Sequence, residues 1–173
     1  MSSQNKLMQT LIKEIRIAFN DVPFPEHCGW QAAIAMDDWI DNPITLKQIT
    51  QEKDIHAKWW DIPASELKEC YMAQCYLDAK GVDFYLPAYL VSVLKDKNKS
   101  RYRALLSWLL PESKYEDYEL YLYFLERFSK LNNEKKEVCL KTILYMKEYL
   151  IDEFDYDIKE DIESILHHEF WIN

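Results

Sequence analysis

Glycine is almost missing: Gly29 and Gly81 are the only two in 173 residues. Ordinary usage is about 7%, and sheet proteins draw on it for their tight turns. A β-rich fold is therefore disfavoured, and two isolated glycines cannot form a glycine-rich phosphate loop. Long apolar runs are missing too. No stretch approaches the ~18 apolar residues of a membrane span. The N-terminus, Met1 to Lys6, leads into an amphipathic pattern with no signal-peptide block. The expected compartment is the cytoplasm, where the four cysteines (Cys28, Cys70, Cys75 and Cys139) would be reduced.

Metal and catalytic signatures are also scarce. Cys70 and Cys75 stand five apart, about 500° around a helix, so their thiols point to different sides. There is no Cys-x-x-Cys, no His-Glu-x-x-His and no Glu-x-x-His. Glu163 and His167 share a helix face at i,i+4, which amounts to half a metal site at most. His27 and Cys28 are loop neighbours, an arrangement that rarely makes a catalytic pair. No metal, no cofactor and no catalytic residue is expected.

Large rings and acid are what the chain does have. Six Trp, twelve Tyr and seven Phe are more than one core needs, leaving several for the surface. The net charge is −9 and uneven. Residues 1–110 hold 14 acids against 13 bases, whereas residues 111–173 hold 16 against 8. Such a surface disfavours nucleic acid or an anionic membrane as ligand and suits a basic protein partner.

The length fits a single domain, residues 1–173. Leu7, Leu11, Ile15 and Ala18 recur at helical spacing, the first of several such stripes. The pattern predicts helices over Trp30–Ile40, from an N-cap at Thr45, and from Pro63 through Leu67, Tyr71 and Gln74 to a C-terminal Gly81. Lys95 to Lys99 reads as a solvated loop or frayed helix end. Ser100 reads as the cap of Arg101–Leu110. A Ser113-x-x-Glu116 capping box opens the helix of Phe124 and Phe128. Asn132 or Asn133 starts the next, and Asp157 starts the last, which carries Ile158, Ile162 and Ile165. No alternating strand pattern persists. The fold class is all-α, a single-domain bundle of about seven or eight helices.

Phe84-Tyr85-Leu86-Pro87-Ala88-Tyr89-Leu90 is apolar throughout, with proline at its centre. Proline suits the first position of a helix, so this stretch predicts an extended Phe84–Leu86 leading into a helix that begins at Pro87. Leu86 would then be an N-cap without an acceptor, and the first-turn amides would need a carboxylate, water or a bound anion. An alternative ligand pocket follows, made by Tyr85, Pro87 and Tyr89. A hydrophobic staple of Tyr85 on Leu90 explains the same residues without a ligand.

In residues 148–163 eight acids face one base, with Phe154 and Tyr156 interleaved. A charge run is usually a solvated face. The functional reading is a partner-binding surface of Asp152, Glu153, Phe154, Asp155, Tyr156, Asp157 and Asp161, where carboxylates speed encounter and rings supply affinity.

The chain resembles a family of uncharacterised bacterial proteins with a Phe-Tyr-Leu-Pro-Ala-Tyr-Leu core motif. The matching pieces are Ile17-Ala18-Phe19, Asp21-Val22, Trp60-Asp61-Ile62, Phe84 to Leu90, Arg127-Phe128 with Leu131, Lys136 to Leu144, and Trp171. The resemblance implies a fold and a bacterial source but no active site. Proteins of this type look similar in size and acidity to the immunity proteins that accompany secreted toxins. The function expected is a non-enzymatic immunity protein neutralising a toxin, such as a nuclease with a basic cleft. The alternative is a small-anion or metabolite binder with its site near Pro87.

Overall fold

A computed structural model describes residues 3–68, 72–111, 114–152 and 154–172. They are mostly helical, with no strand among them. The helices are α1 (Ser3–Ala18), α2 (Trp30–Asp37), α3 (Pro43–Lys53), α4 (Ala73–Tyr76), α5 (Ala79–Lys95), α6 (Lys99–Leu109), α7 (Tyr118–Arg127), α8 (Asn133–Tyr149), α9 (Tyr156–His167) and α10 (Glu169–Ile172). Two 3₁₀ turns, Trp59–Asp61 and Glu66–Lys68, lie between α3 and α4. The all-α expectation holds. The bundle expected of seven or eight helices has eight longer ones, joined by the single-turn α4 and α10.

The bundle is organised around α5, where every residue from Gly81 to Leu90 is buried. It packs against α1, α6, α7, α8 and the Trp59 turn. One core runs from Leu11 in α1 to Trp171 in α10. A smaller cluster of Ala32, Ala35 and Leu46 joins α2 to α3.

This corrects the expectation for Pro87. It sits inside α5, not at a helix start, and Phe84 to Leu86 are helical rather than extended. An interior proline costs about 3 kcal/mol and deprives the carbonyl four residues back, that of Asp83, of its donor. Burying Phe84, Tyr85, Leu86, Tyr89 and Leu90 at about 1.5–3 kcal/mol each outweighs that penalty. The true N-cap is Asp78, whose Oδ1 accepts from the Gly81 amide at 2.7 Å.

Gly81 therefore does not end a helix. A Cβ there would stand 2.9 Å from Leu77 Cδ2 and 3.3 Å from the Cys28 carbonyl oxygen, so the residue is glycine for close approach. No helix runs from Pro63 to Gln74 either. Leu67 lies in a 3₁₀ turn and Gln74 in α4, while Tyr71 lies outside the described residues.

Other caps shift by a few residues. Asn42 Oδ1, not Thr45, caps α3, with Pro43 at its first position. Asn98 rather than Ser100 caps α6. Asp117 Oδ1 caps α7, and Ser113 of the expected capping box lies outside the described residues. Asp155, not Asp157, occupies the N-cap position of α9. Asn132 caps α8 as expected.

Buried polar bonds fasten the bundle. Arg127 donates from Nε to the Leu77 carbonyl at 3.0 Å and from Nη2 to the Gln74 carbonyl, closing the C-terminal end of α4. Lys135 of α8 meets Asp83 of α5 at 2.5 Å. Trp59 and Trp171 donate their indole N–H to the carbonyls of Phe19 and Leu109.

Candidate functional site

The acidic segment forms the turn into α9 and its first two turns, packed beside α6. Lys99 and Arg103 recur one turn apart on α6 and face it. Lys99 Nζ stands 3.0 Å from Asp152 Oδ2 and 2.9 Å from Asp155 Oδ2. Arg103 Nη2 reaches Asp157 Oδ2 at 2.6 Å. The hydrogen bond from Lys99 lowers the Asp155 pKa, and that from Arg103 lowers the Asp157 pKa. Burial raises Asp161, with Asp157 and Glu160 adding repulsion. Three of the expected partner-binding acids are thus already engaged by the chain's own bases.

The rings between them are not folded inward. Phe154 is 74% exposed and Tyr156 72% exposed. The structure brings Asp152, Phe154, Asp155, Tyr156 and Asp157 together on one turn, with Asp161 one helical turn further on; Glu153 lies outside the described residues. Trp39, which the sequence expectation passed over, is a further exposed ring, as are Tyr115 and Tyr118. Trp39 is 94% exposed in the turn after α2 and holds a left-handed φ of 66°.

Tyr85, Pro87 and Tyr89 do not form a pocket at a helix start, because no helix starts there. Tyr85 is buried, and its hydroxyl donates to Asp54 Oδ1 at 3.1 Å. The carboxylate needed by orphaned first-turn amides does exist, but at α2. There the N-cap is Gly29, which offers no side chain, and Asp54 accepts from the Gln31 amide at 3.2 Å. Thr50 Oγ1 accepts from the Gly29 amide at 2.9 Å. Burial pushes the Asp54 pKa up to about 6, against hydrogen bonds from Gln31 and Tyr85 that lower it. Glycine opening a helix with no acceptor of its own was the available signal.

Tyr89 contributes to a real cavity elsewhere. A space of about 580 Å³ is lined by Leu67, Met72, Gln74, Tyr89, Arg101 and Ala104, drawn from α4, α5, α6 and the 3₁₀ turn before α4. Its two buried polar side chains, Gln74 and Arg101, carry no local sequence signal.

The weaker candidates find ordinary partners. Cys28 is half-buried, and burial pushes its thiol up to about 11, away from a reactive thiolate. His167 Nδ1 lies 2.8 Å from the Glu163 carbonyl oxygen, and the Glu163 carboxylate is engaged by Lys147. Among the described residues no group of three or more His, Cys, Asp or Glu side chains is placed to hold a metal ion. Among them also, no helix is long and apolar enough to cross a membrane.

Residues 7–173 match a family of unknown function, DUF6714. The chain belongs to that family. No curated protein and no solved structure matches the chain.

Proposed function

We propose that this member of the family is a non-enzymatic binding protein of the immunity type, which holds a secreted toxin with a basic surface through the turn into α9. The observation that carries this reading is the pair Phe154 and Tyr156, each more than 70% exposed beside Asp152 and Asp157. Exposed rings of this size are costly to leave in water and are the residues that anchor protein interfaces. The surrounding carboxylates and the net charge of −9 favour encounter with a basic partner. The likeness in size and acidity to toxin immunity proteins supports the class, and a nuclease with a basic cleft is the toxin that fits.

Lys99 and Arg103 give the face a specific construction. They hold the turn in place and leave the rings as the free part of the surface. The rings, rather than Asp152 and Asp155, are therefore the positions to alter, since reversing those acids would also repel Lys99.

The test is co-expression with candidate secreted nuclease toxins of basic surface, beginning with any encoded beside this chain's gene. Rescue of growth and a stable complex are expected, and both should be lost in the Phe154→Ala, Tyr156→Ala double variant. A toxin neutralised equally well by that variant refutes this interface.

A further inference from the structure

The turn that ends α2 puts tryptophan where helices favour glycine. The Ile40 amide donates to the Ala35 carbonyl at 3.0 Å, and the Trp39 amide to the Met36 carbonyl at 3.1 Å. These are the two bonds of a Schellman motif, whose left-handed residue is usually glycine because glycine has no Cβ to clash. Trp39 takes that place at φ 66°, the one left-handed non-glycine residue among those described. A bulky side chain is strained there, and at 94% exposure the ring gains little from the fold in return. Strain of this kind collects at binding surfaces. Ile40 and Ile44 extend the exposed apolar patch, and Asp38 and Asp41 flank it. Neither carboxylate has a basic partner among the described residues.

A surface of the opposite character lies between α1, α5 and the Trp59–Asp61 turn. There a groove of about 200 Å³ is lined by Ile12, Arg16, Trp59, Trp60, Val91 and Lys95. It is smaller than the ~300–1,000 Å³ of small-molecule sites and suits one large inserted side chain. The Arg16 guanidinium stands 4.5 Å from the Trp60 ring centroid, and Lys58 Nζ stands 5.5 Å from it. Arg16, Lys58 and Lys95 are exposed and, among the described residues, in no ion pair. Lys99, Arg103 and Lys147, by contrast, each hold a carboxylate. An unanswered basic rim on a chain of net charge −9 calls for an acidic partner.

We infer that the chain associates with a second copy of itself, the Trp39 ring of one copy entering this groove on the other. The ring lies against Ile12, Trp59 and Val91 as the anchor, while Asp38 and Asp41 meet Arg16 and Lys95 at the rim and set the register. Its exposure shows that Trp39 does not fill the groove of its own chain, so the contact runs between copies. The pairing uses neither Phe154 nor Tyr156, so it and the toxin-binding face can fail separately.

Sedimentation equilibrium of the full chain across about 1–200 μM tests it. The parent is expected to gain mass with concentration, half associated on the order of 10 μM. Trp39→Gly relieves the strained residue, so it should melt roughly 2–4 °C higher while its association weakens by about 30-fold or more. Arg16→Glu should keep the helical spectrum and lose association too. Mixing these two variants should give a dimer and nothing larger, because one supplies only the groove and the other only the ring. A parent that stays monomeric through about 200 μM would leave Trp39 to a different protein and overturn the pairing. Undiminished association in Trp39→Gly, or no dimer in the mixture, would overturn it as well.

Discussion

Gly29→Ala isolates the device that starts α2. The backbone at Gly29, φ −85° and ψ −175°, is open to alanine, so any cost comes from contacts and not from conformation. A Cβ there would lie 2.2 Å from Asp54 Oδ2 and 2.5 Å from its Cγ. The aspartate is short and held at the same time by Gln31 and Tyr85, so it cannot swing aside without releasing the cap. Overpacking costs about 1–3 kcal/mol and loss of an N-cap about 0.5–2 kcal/mol. Alanine returns about 0.4–1 kcal/mol by restricting the unfolded chain. The net expectation is a loss of roughly 1–4 kcal/mol, a fall in melting midpoint of roughly 3–12 °C for a chain of this length. Thermal melts followed by circular dichroism measure it. In an Asp54→Ala background the two shortest contacts vanish, so the same glycine change should cost much less. A Gly29→Ala protein as stable as the parent refutes the account of this cap.

Two further outcomes follow from buried charge. Asp54 keeps its proton to about pH 6 in the folded chain, against 3.8 for an unperturbed aspartate. The folded state therefore binds that proton more tightly than the unfolded one, and this group's contribution falls as pH rises from about 4 to 6, by up to about 3 kcal/mol. Urea titrations at pH 4 and pH 7 should show a more negative stability change on raising pH in the parent than in Asp54→Asn. Lys135→Met strips Asp83 of its partner inside the bundle and should cost about 3–5 kcal/mol at pH 7. Adding Asp83→Asn should restore much of that loss, measured by the same titrations.

Helices with one wet face were legible because burial on one side writes a 3.6-residue stripe. Ile158, Ile162 and Ile165 are all fully buried in α9, as their spacing implied. The central helix α5 left no such stripe, since it is buried on every side, and its proline and upstream glycine both read as boundaries. Gly81 is set by the approach of Cys28 and Leu77, which no local pattern records. The cap of α2 comes from Asp54, 23 residues beyond Gln31. Lys99 meets Asp155 across 56 residues, so an acid run that looked wholly free in sequence is partly answered in space. Arg101 and Gln74 converge only because α4 and α6 border the same space.

The proposed function rests on Phe154 and Tyr156, and one binding measurement addresses them directly. Affinity for a basic nuclease toxin that the parent chain neutralises is compared between the parent chain and the Phe154→Ala, Tyr156→Ala double variant, with Trp39→Ala as the control. Both rings are exposed and buttress nothing, so the double variant should melt within about 2 °C of the parent. Its affinity should fall by about 100-fold or more, the loss of two interface anchors. Unchanged affinity in the double variant, or a comparable loss in Trp39→Ala alone, would contradict the claim that the partner docks on the turn into α9.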